Sequence, residues 1–230
     1  EEVWGNFKWD IPEQYNIADD VCDRWADDAG RVALVYEDAE KNARSYTFGD
    51  VRRIANQLAN TFRAWGMARG DRGTLLLPQD PDCAIAHVAF WKAGMVSGPC
   101  SVLFGGDAIS YRVNDCGAKV VITDSANYAK VDAIRNECPT LERILVIDGA
   151  PAGAENFWDA IDGADESFTN VKTAAEDIAW ISYTSGTTGM PKGSVQPHRM
   201  MLGHMPSLEF IYDFFPQDRD ALWSPADGAW

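Results

Sequence analysis

The 230-residue chain carries 35 acidic and 20 basic residues, which gives a formal net charge of −15 at pH 7. Such a surface repels the phosphates of nucleic acids and of anionic membranes, so neither is an expected partner. Hydrophobic residues make up 46% and charged residues 24%, an ordinary globular composition that argues against a disordered or fibrous chain.

The first predicted elements are a short helix and a hairpin. Apolar residues recur at helical spacing from Ile17 to Trp25 and predict a helix that ends near Gly30. Two runs rich in β-branched and aromatic residues, 31–36 and 46–48, are separated by turn-forming residues. We therefore expect these runs to pair as a β-hairpin.

The clearest helix of the sequence comes next. Apolar residues line one face of residues 51–65, Thr47 or Asp50 can cap the first turn, and Gly66 ends the pattern. Predicted strands and helices then alternate: strands 72–77, 96–102, 119–123 and 143–147, and helices 82–93, 108–116 and 128–138. This alternation predicts an α/β fold with a mainly parallel sheet flanked by helices.

Residues 149–173 are rich in Gly, Ala, Asp and Asn, and we interpret them as a loop between subdomains. The predicted organisation is a first α/β subdomain over residues 1–170 and the start of a second over 171–230. In the second part, residues 178–183 predict a buried strand that leads directly into a glycine-rich loop at 183–193.

The glycine-rich loop has the composition of a phosphate-binding segment. Gly186 and Gly189 permit backbone angles that side chains forbid, so that main-chain N–H groups can approach a ligand closely. Lys192 supplies one fixed positive charge, Pro191 stiffens the turn, and several hydroxyl groups add donors without charge. This composition suits a triphosphate, and the predicted phosphate-binding residues are Thr184, Ser185, Gly186, Thr187, Thr188, Gly189 and Lys192.

The spacing excludes three other glycine-rich motifs. In a Walker loop the second glycine would stand where Pro191 stands, and Lys192 would precede Ser or Thr instead of Gly193. A nucleophile elbow around Ser185 would require glycine at Tyr183 and at Thr187, and no G-x-G-x-x-G run occurs. The plain alternative is a hydroxyl-rich surface loop without a ligand.

The five cysteines are odd in number, widely spaced and without a C-x-x-C pair, which predicts neither a disulfide framework nor a zinc site. This usage favours a reducing, cytoplasmic location. No apolar stretch approaches the roughly 20 residues of a membrane span, and the chain begins with Glu1-Glu2. We expect neither a membrane span nor a signal peptide.

Residues 183–193 resemble the phosphate-loop signature of the adenylate-forming superfamily, which includes acyl-CoA synthetases, nonribosomal adenylation domains and firefly-type luciferases. Residues 90–94 and 111–119 are similar to the superfamily's lysine-alanine-glycine helix and to the segment that follows it, and residues 46–50 resemble an earlier helix start. Residues 222–230 are similar to a tryptophan-x-x-alanine-aspartate segment of acetyl- and medium-chain acyl-CoA synthetases. The resemblance covers most of the chain in the expected order and implies a partial N-terminal domain of the acyl-CoA synthetase fold.

The resemblance implies an AMP-forming acid–thiol ligase. A carboxylic acid and ATP give an acyl-adenylate and pyrophosphate, and the thiol of CoA then takes the acyl group. The implied partners are a small carboxylic acid, ATP and CoA, with Mg²⁺ as cofactor. Two alternatives stay open: an adenylating enzyme that loads a carrier protein, and a non-catalytic nucleotide-binding relative.

Two further expectations come from the resemblance. Many relatives carry a His-Arg or similar pair near the active site where His198 and Arg199 stand, so His198 is a candidate catalytic residue, with packing or helix capping as its alternative. Asp227 precedes a glycine and is interpreted as a turn residue, and no metal ligand is predicted. The chain resembles the N-terminal part of its parent enzyme, so we expect it to be inactive alone and to self-associate through exposed edges.

Overall fold

The computed structural model describes residues 7–184, 189–215, 217 and 220–224. Its first helix, α1 (Ile17–Val21), passes into a single 3₁₀ turn at Asp23–Trp25. The sequence predicted one helix as far as Gly30. The α-helix ends before that point, because the backbone angles of Cys22, φ −134° and ψ −63°, lie outside the α-helical region of φ/ψ space.

The predicted hairpin is confirmed. Strands β1 (Val32–Glu37) and β2 (Ala43–Thr47) pair antiparallel in a sheet of their own. Lys41, in the connection, adopts a positive φ of 65°. The hairpin therefore lies outside the main sheet and leads directly into the next helix.

Helix α2 (Phe48–Ala64) begins at a capping box. The Asp50 N–H donates to Thr47 Oγ1 at 3.1 Å, and the Thr47 N–H donates to Asp50 Oδ2 at 3.0 Å. Both residues that the sequence offered as caps thus act together, which satisfies two N–H groups at the helix start. Gly66, with φ 77°, follows the helix end as predicted.

The main sheet has the strand order β7-β6-β5-β3-β4-β8-β9, and every neighbouring pair is parallel except β8–β9. Its strands are β3 (Arg72–Leu76), β4 (Val96–Pro99), β5 (Val120–Thr123), β6 (Arg143–Val146), β7 (Glu155–Asn156), β8 (Ile178–Thr184) and β9 (Lys192–Pro197). The remaining described helices are α3 (Pro81–Lys92), α4 (Gly106–Cys116), α5 (Ser125–Ile134), α6 (Phe157–Ile161) and α7 (Met200–Ile211). The predicted α/β class with a mainly parallel, helix-flanked sheet is confirmed.

Apolar side chains cover both faces of the sheet. On β3, Leu75 belongs to a core shared with α1, α2 and α3, whereas Leu76 belongs to a core shared with α4 and α5. Successive strand residues point to opposite faces, so a continuous apolar run is expected where helices cover both. This packing places the helices that follow β3 and β4 on opposite sides of the sheet.

The predicted loop at 149–173 has more structure than its composition indicated, since it contains β7 and α6. Two asparagines of α2 hold its later part: Asn56 Nδ2 donates to the Glu166 carbonyl at 2.7 Å, and Asn60 Nδ2 donates to the Ser167 carbonyl at 2.8 Å. The division at residue 170 stays a prediction. Strand β8 lies beyond that division and joins the same sheet by pairing with β4, with Trp180 opposite Ser97.

Candidate phosphate-binding site

The predicted phosphate loop connects two antiparallel strands, β8 and β9. Thr184, the last residue of β8, lies opposite Lys192, the first residue of β9. Both are exposed. Gly189 has a φ of 110°, which favours glycine. The other four predicted residues, Ser185, Gly186, Thr187 and Thr188, lie outside the described residues.

The sequence around the loop is locally free of negative charge. From Ile178 to Pro197 it contains no Asp or Glu, and Lys192 is its only charged residue. Within the described part of the chain, Lys192 forms no ion pair. In a chain with net charge −15, this hairpin is a place where an anion can approach without meeting a carboxylate on the same strands.

Strand β8 is fixed to α3 by aromatic side chains. The Trp180 ring stacks on His87 with 4.6 Å between ring centroids, and Trp91 Nε1 donates to the Ala179 carbonyl at 3.0 Å. His87 in turn hydrogen-bonds Ser97 of β4, and burial lowers the pKa of His87 to about 3. The ring is therefore neutral and acts as part of the core.

The sequence predicted a buried β8, but most of its residues are only partly buried and Ile178 is 42% exposed. The reason is its place near the edge of the sheet. Beyond it lies only β9, which has no further strand partner among the described residues. Helix α7, which follows β9, contains no fully buried residue.

Helix α4 contacts the chain on both sides of the loop. Tyr111 Oη donates to the Pro191 carbonyl at 2.8 Å, and Tyr183 Oη donates to Asp115 Oδ2 at 2.7 Å. The Tyr111 and Tyr183 rings meet edge to face at 6.2 Å between centroids. The sequence analysis assigned no role to Tyr111, Asp115 or the Tyr183 hydroxyl, although all three residues fall inside runs whose resemblance was noted.

His198 lies at the end of β9, and its side chain is fully buried. Its Nδ1 accepts a hydrogen bond from the Ile17 N–H at 3.1 Å, so the proton of the neutral ring is on Nε2. Nε2 is buried without a hydrogen-bond partner among the described residues. Burial lowers the pKa of His198 to about 4, against the opposing effect of the Asp177 carboxylate. The catalytic assignment of His198 stays a prediction.

The other candidates near the loop have simpler surroundings. Arg199 Nε donates to Glu176 Oε1 at 2.6 Å, so its guanidinium pairs with a carboxylate. Asp227 lies outside the described residues, as does most of the 222–230 segment. The five cysteines, all of them within the described ranges, form no disulfide, and burial raises the pKa of Cys22 to about 12.

No helix in the described ranges combines the length and the apolar character that a bilayer crossing requires.

The parallel, helix-covered sheet with a glycine-rich connection between its last two strands defines an α/β protein with a candidate phosphate-binding loop, and comparison with known proteins identifies its family. The family profile described as "AMP-binding enzyme" matches residues 22–230. The chain belongs to this AMP-binding enzyme family.

The curated relatives that the chain resembles include CoA synthetases. The chain is 30% identical to the acetyl-coenzyme A synthetase of Gemmatimonas aurantiaca, in a match covering 87% of this chain and 34% of the relative. It is also 30% identical to the mitochondrial acyl-coenzyme A synthetase ACSM3 of Homo sapiens, covering 100% of this chain and 40% of the relative. The chain thus spans well under half of the length of these relatives.

Solved structures that resemble this chain also include acyl-CoA synthetases and CoA ligases. The acyl-CoA synthetase of Brucella canis matches with a TM-score of 0.88 and 25% identity over 100% of this chain and 43% of that one. The anthranilate CoA ligase AuaEII, solved in complex with anthranoyl-AMP, matches with a TM-score of 0.79 and 27% identity over 85% of this chain and 37% of that one. The expectation of a partial acyl-CoA synthetase domain is confirmed.

Proposed function

We propose that this chain is the N-terminal part of an ATP-dependent carboxylic acid–CoA ligase, and that its loop at 183–193 binds the β- and γ-phosphates of ATP. The observation that carries the proposal is the loop itself. It stands at the end of a parallel strand in a chain of the AMP-binding family. Its lysine forms no ion pair with any residue that the structure describes, and neither arm contains an acidic residue.

The reaction proposed for the parent enzyme has two steps. A carboxylate oxygen attacks the α-phosphorus of ATP, the α–β phosphoanhydride bond breaks, and pyrophosphate leaves. The CoA sulfur then attacks the acyl carbon and AMP leaves. The contribution of the loop is to align and neutralise the phosphates that depart, through Lys192, the hydroxyl groups and backbone N–H groups.

Mg²⁺ fits this site only as an ion that is bound to the phosphates of the nucleotide. The hairpin from Ile178 to Pro197 contains no carboxylate, the ligand that Mg²⁺ usually takes from a protein. The ion would therefore be held mainly by phosphate oxygens, and no residue of this chain is assigned to it.

Pyrophosphate exchange in the full enzyme tests the proposal. Exchange of labelled pyrophosphate into ATP that depends on a carboxylic acid, run across short, medium-chain and aromatic acids, supports adenylation. Thioester formation that requires added CoA then supports the ligase. The 230-residue chain alone is expected to release no carboxylate-dependent pyrophosphate.

The same assay distinguishes the alternatives. Acid-dependent exchange with transfer only to a carrier-protein thiol would replace CoA by that acceptor. ATP binding without any exchange would indicate a non-catalytic relative. Neither alternative is favoured by the relatives described above, which are named as CoA synthetases and CoA ligases.

A further inference from the structure

The two ends of the glycine-rich loop are held by one helix. Tyr183 is the last residue of β8 but one, and Pro191 immediately precedes β9, so they stand at the two ends of the loop. Both form hydrogen bonds with α4: Tyr183 Oη to Asp115 at 2.7 Å, and the Pro191 carbonyl to Tyr111 Oη at 2.8 Å. Tyr111 and Asp115 are four residues apart, which places them on the same face of the helix.

The bond at Pro191 fixes the peptide group that leads into Lys192. The Pro191 carbonyl belongs to the peptide bond whose nitrogen is that of Lys192. Holding this carbonyl orients the backbone from which the lysine side chain starts. Pro191 has a fixed φ of its own, so little freedom is left in that turn.

The bond at Tyr183 is supported by close packing. Gly193 lies opposite Tyr183 in the hairpin register, and a Cβ at Gly193 would stand 3.4 Å from the Tyr183 ring and 3.3 Å from Ile181 Cγ2. The glycine therefore lets the ring lie close to β9. The Arg112 guanidinium stands 5.3 Å from the centroid of the same ring. Burial, with help from the Asp115 carboxylate, raises the pKa of Tyr183, so its hydroxyl stays protonated and can donate.

Helix α4 is itself fixed to the centre of the sheet. Arg72 of β3 donates from Nε to the Cys116 carbonyl at 2.5 Å and from Nη2 to the Gly117 carbonyl at 3.0 Å. A cation at the carboxyl end of a helix also interacts favourably with the helix dipole. Contacts therefore run from the central strand through α4 to both loop ends.

We propose that Tyr111, Asp115 and Tyr183 are positioning residues that clamp the two ends of the loop, so that Lys192 and the strand ends that carry the loop are held in place for ATP. This inference rests on the proposed function of the loop. A loop whose ends are held loses less conformational freedom when it binds, and affinity rises accordingly. None of the three residues needs to touch the nucleotide.

The test uses Tyr111→Phe and Tyr183→Phe in the full enzyme, because each variant removes one hydroxyl and keeps its ring. We expect Tyr111→Phe to raise the KM for ATP about three- to tenfold, the range that corresponds to one neutral hydrogen bond. Tyr183→Phe should raise it by about tenfold, the lower end for a bond to a charged group, because its acceptor is the exposed Asp115 carboxylate. The KM for the carboxylic acid and the urea midpoint of unfolding should stay close to those of the parent. Asp115→Ala should change the KM for ATP in the same direction but less than Tyr183→Phe, because Tyr183 Oη can still donate to the Arg112 carbonyl of α4, 3.3 Å away. The double variant of Asp115→Ala with Tyr183→Phe should show less than the sum of the two effects.

Tyr128→Phe is the matched control. Tyr128 Oη also donates to a backbone carbonyl, that of Ala152 at 2.7 Å, but it does so away from the loop. This variant loses the same kind of bond and should leave the KM for ATP unchanged. A purely structural effect would instead change the urea midpoint and both KM values together, and that result would overturn the proposal.

The variant Lys192→Ala distinguishes failure of the clamp inference from failure of the proposed function of the loop. If Lys192→Ala raises the KM for ATP and both tyrosine variants leave it unchanged, the loop binds phosphate and the clamp inference is wrong. If Lys192→Ala also leaves the KM for ATP unchanged, the proposed function of the loop fails and the clamp fails with it.

Discussion

Lys192 is exposed beside Thr184 and is the only charged residue between Ile178 and Pro197. Lys192→Ala should weaken the use of ATP by about 1.5–3 kcal/mol, the usual contribution of a hydrogen bond to a charged group. This corresponds to a roughly tenfold to hundredfold rise in the KM for ATP. Steady-state kinetics at saturating carboxylic acid measure it.

Lys172→Ala provides the matched control for that substitution. Lys172 is also exposed but lies on the connection before β8. Lys172→Ala removes one positive charge, as Lys192→Ala does, but leaves the sequence of the loop unchanged. Equal kinetics for the two variants would mean that Lys192 does not face the nucleotide.

The buried side chain of His198 should make the stability of the fold depend on pH. Burial lowers its pKa in the folded protein to about 4, below the roughly 6.5 of an unfolded chain. Between these values the unfolded chain binds a proton that the folded one does not, so stability falls as the pH drops from about 6.5 towards 4. The His198 share of this loss should reach roughly 2–3 kcal/mol by pH 4.

His198→Asn isolates that share, because an amide oxygen can accept from the Ile17 N–H and does not titrate. Its urea midpoint should depend less steeply on pH than that of the parent between pH 6.5 and 4. His204→Gln, on the exposed surface of α7, is the control. If His198→Asn keeps the parent's slope, the buried ring is not the source of the pH dependence.

At the scale of elements, a buried lysine joins α1 and its 3₁₀ turn to the end of α3. Lys92 Nζ, at 0% exposure, lies 2.5 Å from both carboxylate oxygens of Asp23 and 3.2 Å from Asn170 Oδ1. A buried ion pair is costly to break from one side, because the remaining charge keeps its desolvation cost. Here Asp23 is partly exposed, which moderates that cost.

We therefore expect Lys92→Met to destabilise the chain by about 2–3 kcal/mol, below the 3–5 kcal/mol of a fully buried pair. The double variant Lys92→Met with Asp23→Asn should recover part of this loss, because it removes the orphaned carboxylate. Urea unfolding measures both. The single variant Asp23→Asn is measured as well. If the loss of unfolding free energy in the double variant equals the sum of the losses in the two single variants, the two side chains do not act as a pair.

At the scale of the whole molecule, β9 is an edge strand and α7 is largely uncovered among the residues that the structure describes. Val195 of β9 is 57% exposed, and Ile211 of α7 is 72% exposed. An edge strand with exposed apolar residues favours pairing between chains. The net charge of −15 opposes close approach, and salt screens that repulsion. Self-association of the 230-residue chain should therefore increase with protein concentration and with ionic strength in sedimentation velocity.

Val195→Lys should reduce this association, because a charge on an edge strand disfavours pairing. Leu103→Lys is the control, since Leu103 is exposed on a connection outside the strands. A strict monomer at high concentration and high salt would contradict the prediction.

The sequence alone determined the class of fold and the location of the loop. Both depend on local signals: the alternation of short apolar strands with amphipathic helices, the Thr47–Asp50 capping box at the start of α2, and the order of glycine, hydroxyl and lysine residues before Gly193. Such signals involve residues a few positions apart, and their physical basis is backbone geometry. Such local signals do not fix where an element ends. The helical spacing of apolar residues continues to Trp25, but the backbone leaves the α-helical conformation at Cys22.

Only the tertiary structure decided which distant residues support the loop. Tyr111 and Pro191 are far apart in the chain, as are Ile17 and His198, and no periodicity connects either pair. The partly buried state of β8 depends equally on its position beside the edge strand, which the composition of residues 178–183 does not reveal. Long-range contacts follow from how the strands are ordered in the sheet, and a local pattern carries no information about that order. The sequence therefore located the candidate phosphate site, and the fold defined what holds it in place.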